Sequence, residues 1–100
     1  MATRTITSKE SLKFLSEIEE KFSYLGINLR NHKKTYKSAD TYQITIDKLS
    51  NELLNNLSNS KLVNKVYYNP LMGPDGYGIN MRYRLYIVYN KVTIGKSKKG

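Results

Sequence analysis

TSKESLKFLSEIEEKFSYLGINLR, the stretch from Thr7 to Arg30, decides the fold because its hydrophobic period changes at Gly26. Thr7 followed by Glu10 makes a T-x-x-E capping box, which satisfies amide donors left open at a helix start. Leu12, Leu15, Ile18, Phe22 and Leu25 then recur every three or four residues, and Phe14 widens the stripe. That is one face of an amphipathic helix. Gly26 supplies the left-handed stop. The spacing predicts a helix from Ser8 to Leu25. Past Gly26, Ile27 and Leu29 alternate with Asn28 and Arg30, the period of a half-buried strand.

The same two rhythms organise the rest. His32 to Asp40 reads as a polar, lysine-rich hairpin loop leading to a strand with Tyr42, Ile44 and Ile46 on one side. Asp47 is expected to cap a second, shorter helix carrying Leu49, Leu53, Leu54 and Leu57, ending at Ser58-Asn59-Ser60. A third strand is predicted from Leu62 to Tyr68, then a glycine- and proline-rich loop from Asn69 to Gly78. The longest alternation, Ile79 to Asn90, sends Met81, Tyr83, Leu85 and Ile87 one way and Arg82, Arg84, Tyr86 and Val88 the other. Lys91 to Ile94 either continues it or forms a short edge strand, and residues 1–5 and 95–100 are expected to be mobile.

The order α-β-β-α-β-β makes one α+β domain over residues 1–100. Its expected form is a two-layer sandwich, with two helices on one face of a four-stranded, mainly antiparallel sheet. The other face is left to solvent or a partner.

Composition narrows the chemistry. No cysteine is present, which excludes disulfides and thiolate metal sites. Met1 to Ser8 has no apolar signal region, and no later run reaches membrane-spanning length, so a cytoplasmic protein without membrane contact is expected. Lys, Asn, Tyr and Ile fill 40 of 100 positions, a choice of AT-rich codons that fits a low-GC bacterium or a phage. From Leu53 to Gly100 eight bases face Asp75 alone, with six of the nine tyrosines among them; the first half holds nine bases and seven acids. Such an asymmetric basic, aromatic half points to an anionic partner.

On the predicted sheet the outward positions are Asn28, Arg30 and His32, then Thr41, Gln43 and Thr45, then Lys65 and Tyr67, then Arg82, Arg84 and Tyr86. Cations and tyrosines on an open sheet are what single-stranded nucleic acid needs, because bases stack on aromatic rings while lysine and arginine neutralise phosphates. The candidate binding residues are therefore Arg30, Lys33, Lys34, Lys37, Lys65, Tyr67, Arg82, Arg84 and Tyr86, with Lys96, Lys98 and Lys99 extending the field. The plainer account of the same pattern is solubility and protection of strand edges, which also favours surface lysine and strand tyrosine.

Gly76-Tyr77-Gly78 is similar to the middle of the RNP1 motif of RNA-recognition domains. Asp75, Ile79, Asn80 and Arg82 depart from that motif, and the element order differs, so the family is not assigned. No cofactor or metal is called for. His32, the sole histidine, reads as a solvated loop residue, Glu17, Glu19 and Glu20 as a wet helix face, and Ser58 and Ser60 lack a partner histidine. Gly95-Lys96-Ser97 lacks the upstream glycine of a phosphate-binding loop. A non-enzymatic nucleic-acid-binding protein is the expectation. The alternative is a small phage-type inhibitor, of the anti-CRISPR or anti-host-defence class, whose cations meet an acidic surface of a nucleic-acid-handling protein or ribonucleoprotein. A structural part of a virion or ribosome-like assembly comes third.

Overall fold

The computed structural model describes residues 2–35, 40–71 and 82–93. In chain order its elements are β1 (Thr3–Arg4), α1 (Ser8–Lys21), β2 (Ile27–Lys34), β3 (Thr41–Ile46), α2 (Asn51–Ser58), β4 (Val63–Leu71), β5 (Arg82–Tyr89) and β6 (Val92–Thr93).

The capping box closes reciprocally. Thr7 Oγ1 accepts from the Glu10 amide at 3.2 Å, and Glu10 Oε1 accepts from the Thr7 amide at 2.9 Å. Arg4 donates to both Glu10 carboxylate oxygens at 2.7 Å, tying β1 to the first turn of α1. Chiefly because of Arg4, then the Thr7 amide, the Glu10 carboxyl is held down to about 2. Regular helix ends at Lys21, a turn before the spacing predicts, and a 3-10 turn at Ser23–Leu25 carries Leu25 into the core. Gly26 then takes φ 70°, and a Cβ there would collide with the Asp47 side chain. Only glycine fits this junction without strain.

Four strands form an antiparallel sheet in the order β2-β3-β5-β4. Alternation assigns its two faces. Tyr42, Ile44, Ile46, Leu85 and Ile87 are no more than 1% exposed and share one core with Leu15 and Ile18 of α1, Phe22 just past its end, and Leu53 and Leu57 of α2. Helix α1 lies over β2, and α2 over β4. Burying each such side chain contributes roughly 1.5–3 kcal/mol. On the opposite face Gln43, Thr45, Arg84, Tyr86 and Val88 are half-buried, and Lys65 and Tyr67 are exposed. The α+β sandwich with both helices on one side is therefore the architecture, and Ile18 and Phe22 belong to its core.

Several local expectations are corrected. Ser50, not Asp47, caps α2, its hydroxyl accepting from the Glu52 amide at 3.1 Å. Strand β2 runs to Lys34, so the hairpin loop is shorter than the polar run His32–Asp40 suggests. Strand β4 continues through Asn69 and Pro70 to Leu71. Leu12, read as part of the helix stripe, is 40% exposed. Thr3–Arg4, in a stretch expected to be mobile, pairs antiparallel with β6 as a second, two-stranded sheet.

Candidate nucleic-acid interface

Register aligns the helix-free face into cross-strand rows. Lys33, Gln43, Tyr86 and Tyr67 form one row across β2, β3, β5 and β4. Asn28, Thr45, Arg84 and Asn69 form the next, and Val88 lies between Thr41 and Lys65 in a third. Within the first row the Tyr67 and Tyr86 rings stack, with centroids 4.7 Å apart and planes 16° from parallel. Tyr67 stands on the outermost strand and is 44% exposed, so the two-ring column is open on that side. Same-face neighbours on a strand are roughly 7 Å apart, which sets Arg84 one step from Tyr86.

Beside this column a bulge in β2 builds a cavity. Asn28 pairs with Thr45 and Lys33 with Gln43, so Leu29, Arg30, Asn31 and His32 all stand opposite the single residue Ile44. Asn28 Oδ1 holds the bulge by accepting from the Arg30 amide at 2.9 Å, the self-turning bond that asparagine makes two residues on. Arg30, Asn31, His32, Lys33, Gln43, Thr45 and Arg84 line a cavity of about 430 Å³. No carboxylate is among them. Asn31 Nδ2 donates to Thr45 Oγ1 at 2.8 Å, which leaves the threonine proton to point elsewhere. Arg84 Nε is buried and has no partner among the described residues.

The other candidate positions separate. Arg82 shares the face but lies 3.4 Å from Asp47, both side chains well exposed, so its charge is partly answered. Exposed Lys34 registers with Tyr42, a position of the helix-covered side, and stands apart from the cavity. Lys37, Lys96, Lys98, Lys99 and the Gly76-Tyr77-Gly78 motif lie outside the described residues. The tyrosines also divide. Tyr89 is core, while Tyr68 and Tyr83 meet edge to face at 5.9 Å on the helix side. Only Tyr67 and Tyr86 of that half lie on the open face among the described residues.

His32 is the clearest correction. It is not a solvated loop residue; the bulge turns it toward α1. Its ring stacks on Tyr42 at 5.1 Å and 6°, and Nε2 lies 2.8 Å from Ser11 Oγ, which is 2.7 Å from the Tyr89 hydroxyl. A serine–histidine contact of that length resembles a nucleophile and its base, but Ser11 is 0% exposed. The chain Tyr89–Ser11–His32 fastens α1 to the sheet. No pattern along β2 signals it, although Asn28 two residues before Arg30 is a local cue to the bulge.

Burial lowers the His32 pKa below its usual 6.5. Arg30, Lys33 and Arg84 line the same cavity as His32, Tyr42 stacks on its ring, and Ser11, bonded in turn to Tyr89, meets Nε2. As pH falls, the unfolded chain takes up this proton before the native one does. The stability contribution is therefore complete above about pH 6.5 and is lost as pH falls through the lower native value. Urea midpoints should drop from about pH 8 to about pH 6 in the native sequence, and His32→Gln should flatten that drop.

The chain matches no model of a protein family, no curated protein and no solved structure. Among the described residues no three of His, Cys, Asp and Glu gather to hold a metal, and no helix is long and apolar enough to cross a membrane.

Proposed function

We propose that this protein binds single-stranded nucleic acid on the helix-free face of its sheet, acting in the cytoplasm without chemistry of its own. The observation that carries this is the stacked Tyr67–Tyr86 column, set in one row with Lys33 and next to Arg84. A base stacking on the open end of the column gains from the ring, while Arg30, Lys33, Lys65 and Arg84 offer cations to the backbone around it. None of those four cations is among the residues in the ion pairs Arg4–Glu10, Arg82–Asp47 and Lys91–Asp40. Solubility explains scattered lysines and sheet stability a cross-strand tyrosine pair, but neither gives a reason for three cations around a carboxylate-free cavity beside that pair.

Four phosphate contacts predict a slope of about −3 for log affinity against log salt on single strands. Lys33→Ala with Lys65→Ala should reduce that slope by about 1.4 and weaken all sequences alike. Titration of a labelled single-stranded oligonucleotide at several salt concentrations checks it. A salt-independent affinity, or equal preference for duplex, would count against the face.

The alternative inhibitor, docking on an acidic protein surface, is favoured by one feature: β4 ends the sheet order, a position where a partner strand can add. A partner retained after nuclease treatment, together with no oligonucleotide binding, would support it.

A further inference from the structure

We infer that the cavity at the β2 bulge is a site for a terminal phosphate, a phosphomonoester at the end of the strand whose base stacks on the Tyr86–Tyr67 column. This deepens the proposed function and rests on it. Four observations converge.

Charge comes first. Arg30, Lys33 and Arg84 line the cavity with no carboxylate among the lining residues, so three cations converge where ordinary surfaces mix signs. A phosphomonoester carries close to two negative charges at neutral pH, whereas a phosphodiester within a chain carries one. The excess of cations suits the end of a strand better than its middle.

Donor chemistry comes second. Arg84 Nε is buried with no acceptor among the described residues, a cost that a bound acceptor removes. Thr45 already accepts from Asn31 at 2.8 Å, leaving its own hydroxyl proton to donate. Planar guanidinium groups grip phosphate oxygens with paired bonds. The lining offers donors where an acceptor-rich group would sit.

Third, a volume of about 430 Å³ exceeds one phosphate and leaves room for the attached sugar. Gln43 and Asn31 supply amides that suit sugar hydroxyls. Fourth, Gln43 lines the cavity and pairs in register with Tyr86, so the cavity opens beside the ring column. A terminal nucleotide can place its phosphate at Arg84 and its base against Tyr86 on the cavity side, while a following base takes the open end of the column at Tyr67.

The test compares one short single-stranded oligonucleotide carrying a 5′-phosphate, a 3′-phosphate or hydroxyls at both ends, with a nucleoside monophosphate and inorganic phosphate as further arms. One phosphorylated end should bind about tenfold tighter than the hydroxyl-ended strand, since hydrogen bonds to charged groups are the strong ones. Arg84→Lys keeps the charge but removes the Nε donor and the planar fork. It should abolish the end preference, so that phosphorylated and hydroxyl-ended strands bind the variant alike. The native-protein comparison needs no variant to fold. If all three strands bind equally, the terminal-phosphate site is overturned while nucleic-acid binding stands. If no strand binds but the monophosphate does, dependent on Arg84, the cavity assignment stands and strand binding falls. Binding of inorganic phosphate alone, or of nothing, overturns the nucleotide site.

Discussion

Replacing Tyr67 and Tyr86 together by alanine is expected to weaken binding of a short single-stranded oligonucleotide by about a hundredfold, with the salt slope unchanged. Stacking on an aromatic side chain is worth about 1–3 kcal/mol per base, and the two rings form one platform. No phosphate contact is lost, so counterion release stays the same. Tyr68→Ala is the matched control, because Tyr68 is exposed to a similar degree but faces the helix side against Tyr83. Fluorescence anisotropy with oligonucleotide at fixed salt measures all three proteins. The double variant should remain folded, since a ring pair of this kind contributes only about 0.5–1.5 kcal/mol beyond its buried area. Native-like affinity in the double variant would remove the tyrosine column from the interface.

The second large effect concerns which face is core. Leu85 is 0% exposed between the helices and the sheet, and Leu85→Ala should cost about 2–5 kcal/mol through lost transfer and an unfilled cavity. Val88→Ala, on the opposite face, should cost less than about 1 kcal/mol, because that side chain is only half-buried. Urea unfolding gives both values from the shift in midpoint at constant slope. A larger loss at Val88 than at Leu85 would mean that the two faces had been exchanged, and the candidate interface with them.

These two tests divide what the sequence made legible from what it hid. Leu85 and Ile87 against Arg84 and Tyr86 follow from strict alternation, a rule local to one strand. The capping box at Thr7 and the left-handed Gly26 are equally local, needing only neighbours three or four residues away. The cap of α2 was ambiguous for a physical reason: Asp47 and Ser50 are both good capping residues, and Asp47 is instead placed against Gly26 and Arg82. Pro70 looked like the end of a strand, yet β4 is an edge strand, where a missing amide donor is tolerated.

The cavity was hidden more deeply. That Leu29 through His32 stand opposite one residue depends on how β2 pairs with β3, which no count along β2 can show. The bulge brings His32 within reach of Ser11 while Arg30, Asn31 and His32 all line the cavity. Tyrosine was ambiguous because its ring suits the interior and its hydroxyl suits water. Tyr42 resolves this by burying completely while donating to the Ile6 carbonyl at 3.0 Å.

The pairing of Thr3 with Thr93 acts as a clasp between two segments far apart along the chain. Among the described residues two on each side hold it, while the loop it closes runs from Thr3 to Thr93. Closing so long a loop is entropically costly and such short strands repay little, so the clasp should form late in folding and open before the main sheet. Because it lies in a separate sheet from the tyrosine column and the bulge, its opening leaves them assembled.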